Sequence, residues 1–219
     1  MATERLPHQG IILPPGASPE RIVTPLNPAE RLAKEKEVLS KTIIYLVALP
    51  GAGKSTFGEY FADQYGLTFK DSDVLFHDWT GFTPTEYIDT YGRPAFQQKE
   101  HSVLELASTR PGIVIATGGG MVEYRDNLGI LLGGDMVYLD VPPEVAARRV
   151  FEDPNNDRTG LKGTYEAILA EETARWERRH EKYEHAQHRV KADKLKPAQL
   201  ALIVKQMVVR RHAPQLYAA

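Results

Sequence analysis

The sequence predicts an α/β domain in which short buried strands alternate with longer polar helices. Three observations point to this class. Apolar runs rich in β-branched residues recur along the chain, and each is followed by a polar segment with helical spacing. The first of these runs ends in a glycine-containing turn that opens a helix. The chain has 219 residues, which is enough for one such domain with a sizeable core and a short extension.

Composition argues against several classes of partner. The chain carries 27 Lys and Arg against 29 Asp and Glu, so no overall field attracts nucleic acid or a membrane surface. It has no cysteine, which excludes disulfides and thiolate metal sites. No apolar run approaches the roughly 20 residues that span a bilayer, and no secretory signal is evident. We expect a cytoplasmic protein that binds neither nucleic acid nor membrane, as a monomer or a homodimer.

Residues 1–41 form an extension before the domain. Five prolines within the first 25 residues interrupt regular structure, so we expect this part to be disordered or loosely packed. Asn27 and Glu30 then have the spacing of a capping box with proline between them, which predicts a helix near 28–40. That helix could lean on the domain or mediate dimer contacts. The domain itself is predicted over 42–212, with a tail at 213–219.

The stretch that follows the strand 42–47 has the composition of a phosphate-binding loop. Backbone N–H groups of such a turn, together with the positive end of the next helix, form a site for polyphosphate. Lys54 is placed to reach the β- and γ-phosphates, and Ser55 to place its hydroxyl on Mg²⁺. Gly51 and Gly53 allow backbone conformations and a close approach that a side chain would block. Ala48 departs from the usual pattern, which has glycine at that position. The predicted nucleotide contacts are Pro50, Gly51, Ala52, Gly53, Lys54, Ser55 and Thr56.

Asp71 and Asp73 follow a short strand predicted at 67–70. Ligands of open parallel sheets bind beyond the carboxyl ends of the strands. On an extended segment two carboxylates at this spacing point the same way, so one of them can hold Mg²⁺ or its waters while the other faces a substrate hydroxyl as acceptor or base. A solvated turn or a helix N-cap is the alternative interpretation.

The capping pattern seen at Asn27 recurs in Thr83-Pro84-Thr85-Glu86 and predicts a helix that ends at Tyr91. A second helix is predicted over 93–108, and a buried strand over 112–117 ends in three glycines. Gly118, Gly119 and Gly120 keep side chains out of that corner, which indicates close approach of a bound substrate rather than a flexible linker.

The remaining elements include a loop that could cover the site. A strand at 136–141 precedes a helix that opens at 142–144 and carries Arg149. The polar loop 152–160 carries Arg158, which is either a solvated side chain or part of a mobile lid. A long charged helix over 165–186, a short strand 188–192 and a helix over 197–212 complete the domain. His188 is expected to be a solvated side chain.

The chain resembles the shikimate kinase family in the order and spacing of four features. These are the phosphate loop, the Asp-Ser-Asp segment, the Thr-Gly-Gly-Gly segment and the two arginines Arg158 and Arg179. The resemblance covers about 42–212. It implies a three-layer P-loop kinase fold with a mobile lid, in which a five-stranded parallel sheet of order 2-3-1-4-5 is flanked by helices. It also implies ATP and Mg²⁺ as cofactors and a small-molecule hydroxyl compound as substrate.

The resemblance implies roles for individual residues. Lys54, Asp73 and Arg158 would be catalytic, with Mg²⁺ on Ser55 and Asp71. Arg149 would lie near the adenine. The acceptor would contact Asp73, Gln97, Arg179 and the backbone of Gly118, Gly119 and Gly120.

Gln97 is the main departure from the family pattern. The family has the pattern Phe-Arg-x-x-Glu, whose arginine binds the shikimate carboxylate. This chain has Phe96-Gln97-Gln98-Lys99-Glu100 instead. An amide gives only a neutral hydrogen bond, so the loss should weaken shikimate binding by about 1.5–3 kcal/mol. Arg93 or Lys99 could compensate from another helical position. A second departure is Arg179-His180-Glu181-Lys182-Tyr183, where the family tends to have Pro-Leu before the tyrosine.

Two functions remain open at this stage. The first is an ATP-dependent small-molecule kinase that acts on shikimate or on a related cyclitol or polyol acid. The second is a non-catalytic, ligand-sensing domain with the same fold. All the residues expected for phosphoryl transfer are present, which favours the enzyme.

Overall fold

A computed structural model describes residues 26–154 and 161–217 of the chain. Their five strands form one parallel sheet of order β2-β3-β1-β4-β5, so the predicted fold class and strand order are confirmed. The expectations for residues 1–25 and for Arg158 lie outside the described residues. The strands are β1 (Ile43–Val47), β2 (Thr68–Asp71), β3 (Ile113–Ala116), β4 (Asp135–Asp140) and β5 (His188–Lys191).

Helices cover both faces of the sheet. Within the described ranges they are α1 (Pro28–Leu39), α2 (Lys54–Tyr65), α3 (Ser72–Thr80), α4 (Pro84–Tyr91), α5 (Arg93–Ala107), α6 (Arg125–Gly133), α7 (Pro143–Glu152), α8 (Tyr165–Tyr183) and α9 (Pro197–His212). A short 3₁₀ turn at Met121–Glu123 lies between β3 and α6, and a second at Pro214–Tyr217 comes after α9. The capping boxes that open α1 and α4 form as predicted, with Asn27 and Thr83 each accepting a hydrogen bond from the backbone three residues later. Helix α3 was not predicted.

The core lies in two layers, one on each face of the sheet. Alternate residues of β1 point to opposite faces: Ile44 and Leu46 pack with α2 and α9, while Tyr45 and Val47 pack with α5, α6 and α8. The central strands β1, β3 and β4 are almost entirely buried, whereas the edge strands β2 and β5 alternate between covered and exposed positions. This burial explains why the central strands read as continuous apolar runs in the sequence.

Helix α1 packs on the domain, which was one of its two predicted roles. The buried Lys205 ammonium on α9 contacts Glu35 Oε2 at 2.5 Å, and Tyr217 Oη donates to Glu35 Oε1 at 2.6 Å. A single buried carboxylate therefore ties α1 to the last helix and to the residues that follow it.

A second polar cluster lies at the amino ends of β4 and β5, away from the loops that follow β1, β2 and β3. The buried Asp135 carboxylate contacts His188 Nε2 at 2.8 Å and His212 Nε2 at 2.6 Å, and Arg211 donates to it at 3.1 Å. The expectation that His188 is a solvated side chain is wrong: it is 7% exposed. Its partner lies 53 residues away, so the alternation of β5 alone could not indicate it.

No helix of the described ranges is long and apolar enough to cross a membrane.

Candidate active site

A cleft of about 1070 Å³ opens where the loops that follow β1, β2 and β3 meet. These loops all leave the carboxyl ends of parallel strands, where such sheets bind ligands. Helices α4, α5, α7 and α8 supply the other walls. The cleft is lined by Pro50, Gly51, Gly53, Lys54, Ser55, Thr56, Asp71, Asp73, Arg93, Phe96, Glu100, Thr117, Gly118, Gly119, Gly120, Arg149, Arg175 and Arg179, among other residues.

The phosphate loop has the backbone that its glycines predict. Gly51 and Gly53 have φ of +72° and +90°, and a methyl group on Gly51 would lie 2.5 Å from the carbonyl oxygen of Ala146. Ala48 has no positive φ, which explains why alanine is tolerated at that position. Gly53 caps α2 without a side-chain hydrogen bond, so the N–H groups of the first turn are available to an anion.

The lysine and arginine of the predicted nucleotide site donate hydrogen bonds to carbonyl groups of this loop. Lys54 Nζ donates to the carbonyls of Ala48 at 3.1 Å and Leu49 at 3.0 Å, which folds the side chain back over the loop. Arg149 Nη1, from α7, donates to the carbonyl of Ala52 at 3.4 Å. The side chain of Ala52 itself is buried and does not line the cleft.

Ser55 and Asp71, the two predicted Mg²⁺ ligands, are in direct contact. Ser55 Oγ donates to Asp71 Oδ2 at 2.6 Å. The other oxygen of this carboxylate accepts the backbone N–H of Asp73 at 2.9 Å, so Asp71 is also the N-cap of α3. Hydroxyl and carboxylate oxygens are the ligands that Mg²⁺ prefers, and these two fit such an ion.

Asp73 lies in the first turn of α3 and not on an extended segment, which corrects the geometry expected from the sequence. Its side chain nevertheless lines the cleft and lies beside Gly118, the first of the three glycines. A methyl group on Gly118 would lie 2.8 Å from Asp73 Oδ1 and 3.1 Å from Glu100 Oε1. The absence of a side chain at Gly118 is therefore what allows both carboxyl groups to converge on this corner.

Glu100 is a site residue that was not predicted. It is 5% exposed, and burial, followed by the neighbouring charge of Asp73, raises its pKa to about 8. Glu100 is therefore mostly protonated at neutral pH and can donate a hydrogen bond. The sequence held one signal: Phe96, Glu100 and Leu104 share the buried stripe of α5, where a carboxyl group is unusual.

Arg179 reaches the cleft from α8 and lies against the second and third glycines. A methyl group on Gly119 would be 3.1 Å from its Nη1. The guanidinium is 6% exposed and forms an ion pair through Nε with Glu123. Burial opposes the ionisation of Glu123, but this pairing outweighs it and keeps the pKa of Glu123 below its ordinary value. Nη1 is buried and has no hydrogen-bond partner within residues 26–154 and 161–217, so an acceptor from a ligand is expected there.

Gln97 is not brought to the cleft. It is half-buried on α5 and absent from the cleft walls, whereas Arg93, Phe96 and Glu100 of the same helix line them. Substrate contact by Gln97 thus remains only a prediction.

Comparison with known proteins gives a consistent result. A family model described as shikimate kinase matches residues 50–209. A shikimate kinase of Synechococcus elongatus is 36% identical over 147 residues, which cover 67% of this chain and 75% of the relative. One from a Sulfurihydrogenibium species is 31% identical over 169 residues, covering 77% and 98%.

The solved structures agree. A shikimate kinase from Acinetobacter baumannii in complex with shikimate superposes with a TM-score of 0.73 at 29% identity, over 82% of this chain and 99% of that chain. One from Aquifex aeolicus gives a TM-score of 0.65 at 26% identity, over 78% and 98%. The cleft brings together the phosphate loop, the paired aspartates, the glycine corner and the arginine of α8. The chain that carries them belongs to the shikimate kinase family.

Proposed function

We propose that the protein transfers the γ-phosphoryl group of ATP to a hydroxyl group of shikimate. The observation that carries this proposal is the short hydrogen-bonded path between the two halves of the cleft. Ser55, in the phosphate loop, donates to Asp71, and Asp71 accepts the backbone N–H of Asp73. The phosphate site and the carboxylate that faces the acceptor are therefore held in a fixed relation by two hydrogen bonds.

The nucleotide half binds and orients the triphosphate. The loop amides and the start of α2 would cradle the phosphates, Lys54 would neutralise their charge, and Arg149 would lie beside the base. Ser55 and Asp71 would hold Mg²⁺, which supplies charge neutralisation on the phosphate oxygens when bound. Arg158, which lies outside the described residues, is proposed as a further cation for the transferring phosphoryl group.

The acceptor half orients the hydroxyl. Asp73 would accept a hydrogen bond from this hydroxyl, align its oxygen with the phosphorus atom and receive the proton as the new P–O bond forms. The protonated Glu100 beside it can donate to another oxygen of the substrate. Arg179 Nη1 would bind the carboxylate, and the backbone of Gly118 to Gly120 would allow the ring to approach closely.

The test is shikimate-dependent ADP release, with the product identified by ³¹P NMR. We expect turnover by the wild type and a loss of at least about a hundredfold in kcat for Asp73→Asn. Asp78→Asn is the matched control, because Asp78 lies on the same helix, is exposed and does not line the cleft. Turnover of a different cyclitol or polyol acid with no turnover of shikimate would overturn the choice of substrate.

The comparisons give no support to the non-catalytic alternative. Calorimetry separates the two functions, since a sensing domain would bind shikimate and MgATP without releasing ADP. That result would overturn the proposal.

A further inference from the structure

Arg179 alone offers little net positive charge to an acidic substrate. Its charge is already matched by Glu123, which it contacts through Nε. A substrate carboxylate that bound to Arg179 Nη1 alone would share a cation that one carboxylate already neutralises. Binding of an acidic substrate here is therefore favoured by a second cation.

Among the described residues, four arginines line the cleft, and three of them have defined partners. Arg149 donates to backbone carbonyls of the phosphate loop and of Asp193, and Arg175 donates to Glu171 at 2.9 Å. Arg179 pairs with Glu123. Arg93 differs, because it forms no hydrogen bond or ion pair with any residue of the ranges 26–154 and 161–217.

Arg93 lies on the acceptor side of the cleft. It is the first residue of α5, one turn before Gln97 and on the same helix as Phe96 and Glu100, which also line the cleft. The charges of Arg93 and of Arg179 both act to lower the pKa of Glu100, although burial dominates. Two guanidinium groups on different helices therefore lie within electrostatic range of the same buried carboxyl group.

We propose that Arg93 binds the carboxylate of the acceptor together with Arg179 and so determines the preference for an acidic substrate. This inference rests on the proposed function and deepens it. Arg93 supplies from the first turn of α5 the charge that the family pattern would place at position 97. The side chain is exposed in the free protein, which suits a group that becomes ordered only when an anion enters the cleft.

The test compares shikimate with its uncharged methyl ester in Arg93→Met, with Lys99→Met as the matched control. Lys99 is exposed on the same helix and does not line the cleft. We expect Arg93→Met to raise KM for shikimate by about five- to thirtyfold, with kcat within about threefold of wild type. KM for the ester should stay within about twofold, and Lys99→Met should change neither.

Rescue gives a second readout. Adding Gln97→Arg to Arg93→Met returns a guanidinium to the same helix and should lower KM for shikimate again. An Arg93→Met variant with the KM of the control, or with equal losses for shikimate and ester, would overturn the inference while the proposed function stood.

Calorimetry with MgADP separates failure of the two proposals. If wild type binds shikimate but does not phosphorylate it, and Arg93→Met weakens binding of shikimate but not of the ester, then the proposed function fails and the role of Arg93 stands. If wild type neither binds nor phosphorylates shikimate, both are overturned.

Discussion

Gly118→Ala should impair catalysis while leaving the protein folded. The added methyl group would lie 2.8 Å from Asp73 Oδ1 and 3.1 Å from Glu100 Oε1, whereas ordinary contacts begin near 3.4 Å. Asp73 must therefore withdraw by about 0.6 Å. Because a displacement of about 1 Å costs on the order of a hundredfold in rate, we expect kcat/KM to fall by about ten- to a hundredfold. Both contacts are to side-chain ends and Gly118 has no positive φ, so stability should change by less than about 1 kcal/mol.

The assay measures kcat/KM for shikimate together with thermal unfolding. Gly129→Ala is the control, because this glycine lies inside α6 and a methyl group there meets nothing within 4 Å. That variant should keep full activity and gain about 0.5–1 kcal/mol. Wild-type kcat/KM in Gly118→Ala would refute the position assigned to Asp73. An activity loss that merely matches a loss of folded protein would refute the steric argument as well.

Three further outcomes are expected. Ser55→Ala should raise the Mg²⁺ concentration for half-maximal activity by about tenfold at saturating ATP, and an unchanged Mg²⁺ titration would count against this ligand. Asp135→Asn should cost about 2–3 kcal/mol in urea unfolding at pH 7. Burial opposes ionisation of Asp135, but its histidine partners outweigh this and lower its pKa in the folded state. The stability that the Asp135 carboxylate contributes is therefore present above the ordinary carboxyl pKa and is lost as pH falls through the lower pKa of the folded state. A stability difference between wild type and Asp135→Asn that does not shrink in acid would contradict this. Glu172 is fully buried, burial raises its pKa to about 7, and neither oxygen has a hydrogen-bond partner among the described residues. The folded protein holds this proton more tightly than the unfolded chain, so wild-type stability falls as pH rises from about 4.5 through 7. The free energy of unfolding of Glu172→Gln, measured relative to wild type, should therefore be about 1–3 kcal/mol higher at pH 8 than at pH 5. An equal difference between variant and wild type at the two pH values would show that this carboxyl group does not titrate as stated.

Features that depend on neighbours in the chain were predictable. The capping boxes at Asn27 and Thr83, the positive φ of Gly51 and Gly53 and the course of the central strands all follow from local steric and hydrogen-bonding rules. The helix α3 shows the limit of this reasoning. The sequence admits Asp71 as an N-cap, but the spacing of the two carboxylates is equally compatible with an extended segment, and the structure shows the cap. A side chain that both caps a helix and contacts Ser55 cannot be distinguished locally from one that does either alone.

The phosphate loop follows from the local sequence, and the resemblance to the family supplied the strand order. Tertiary contacts were needed to show that Glu100 is buried beside Asp73, that Glu123 pairs with Arg179 across 56 residues, and that Arg93 rather than Gln97 lines the cleft. Burial and charge pairing depend on which helices meet at the carboxyl end of the sheet. Periodicity shows which face of a helix is covered, but it does not show which charged group covers it.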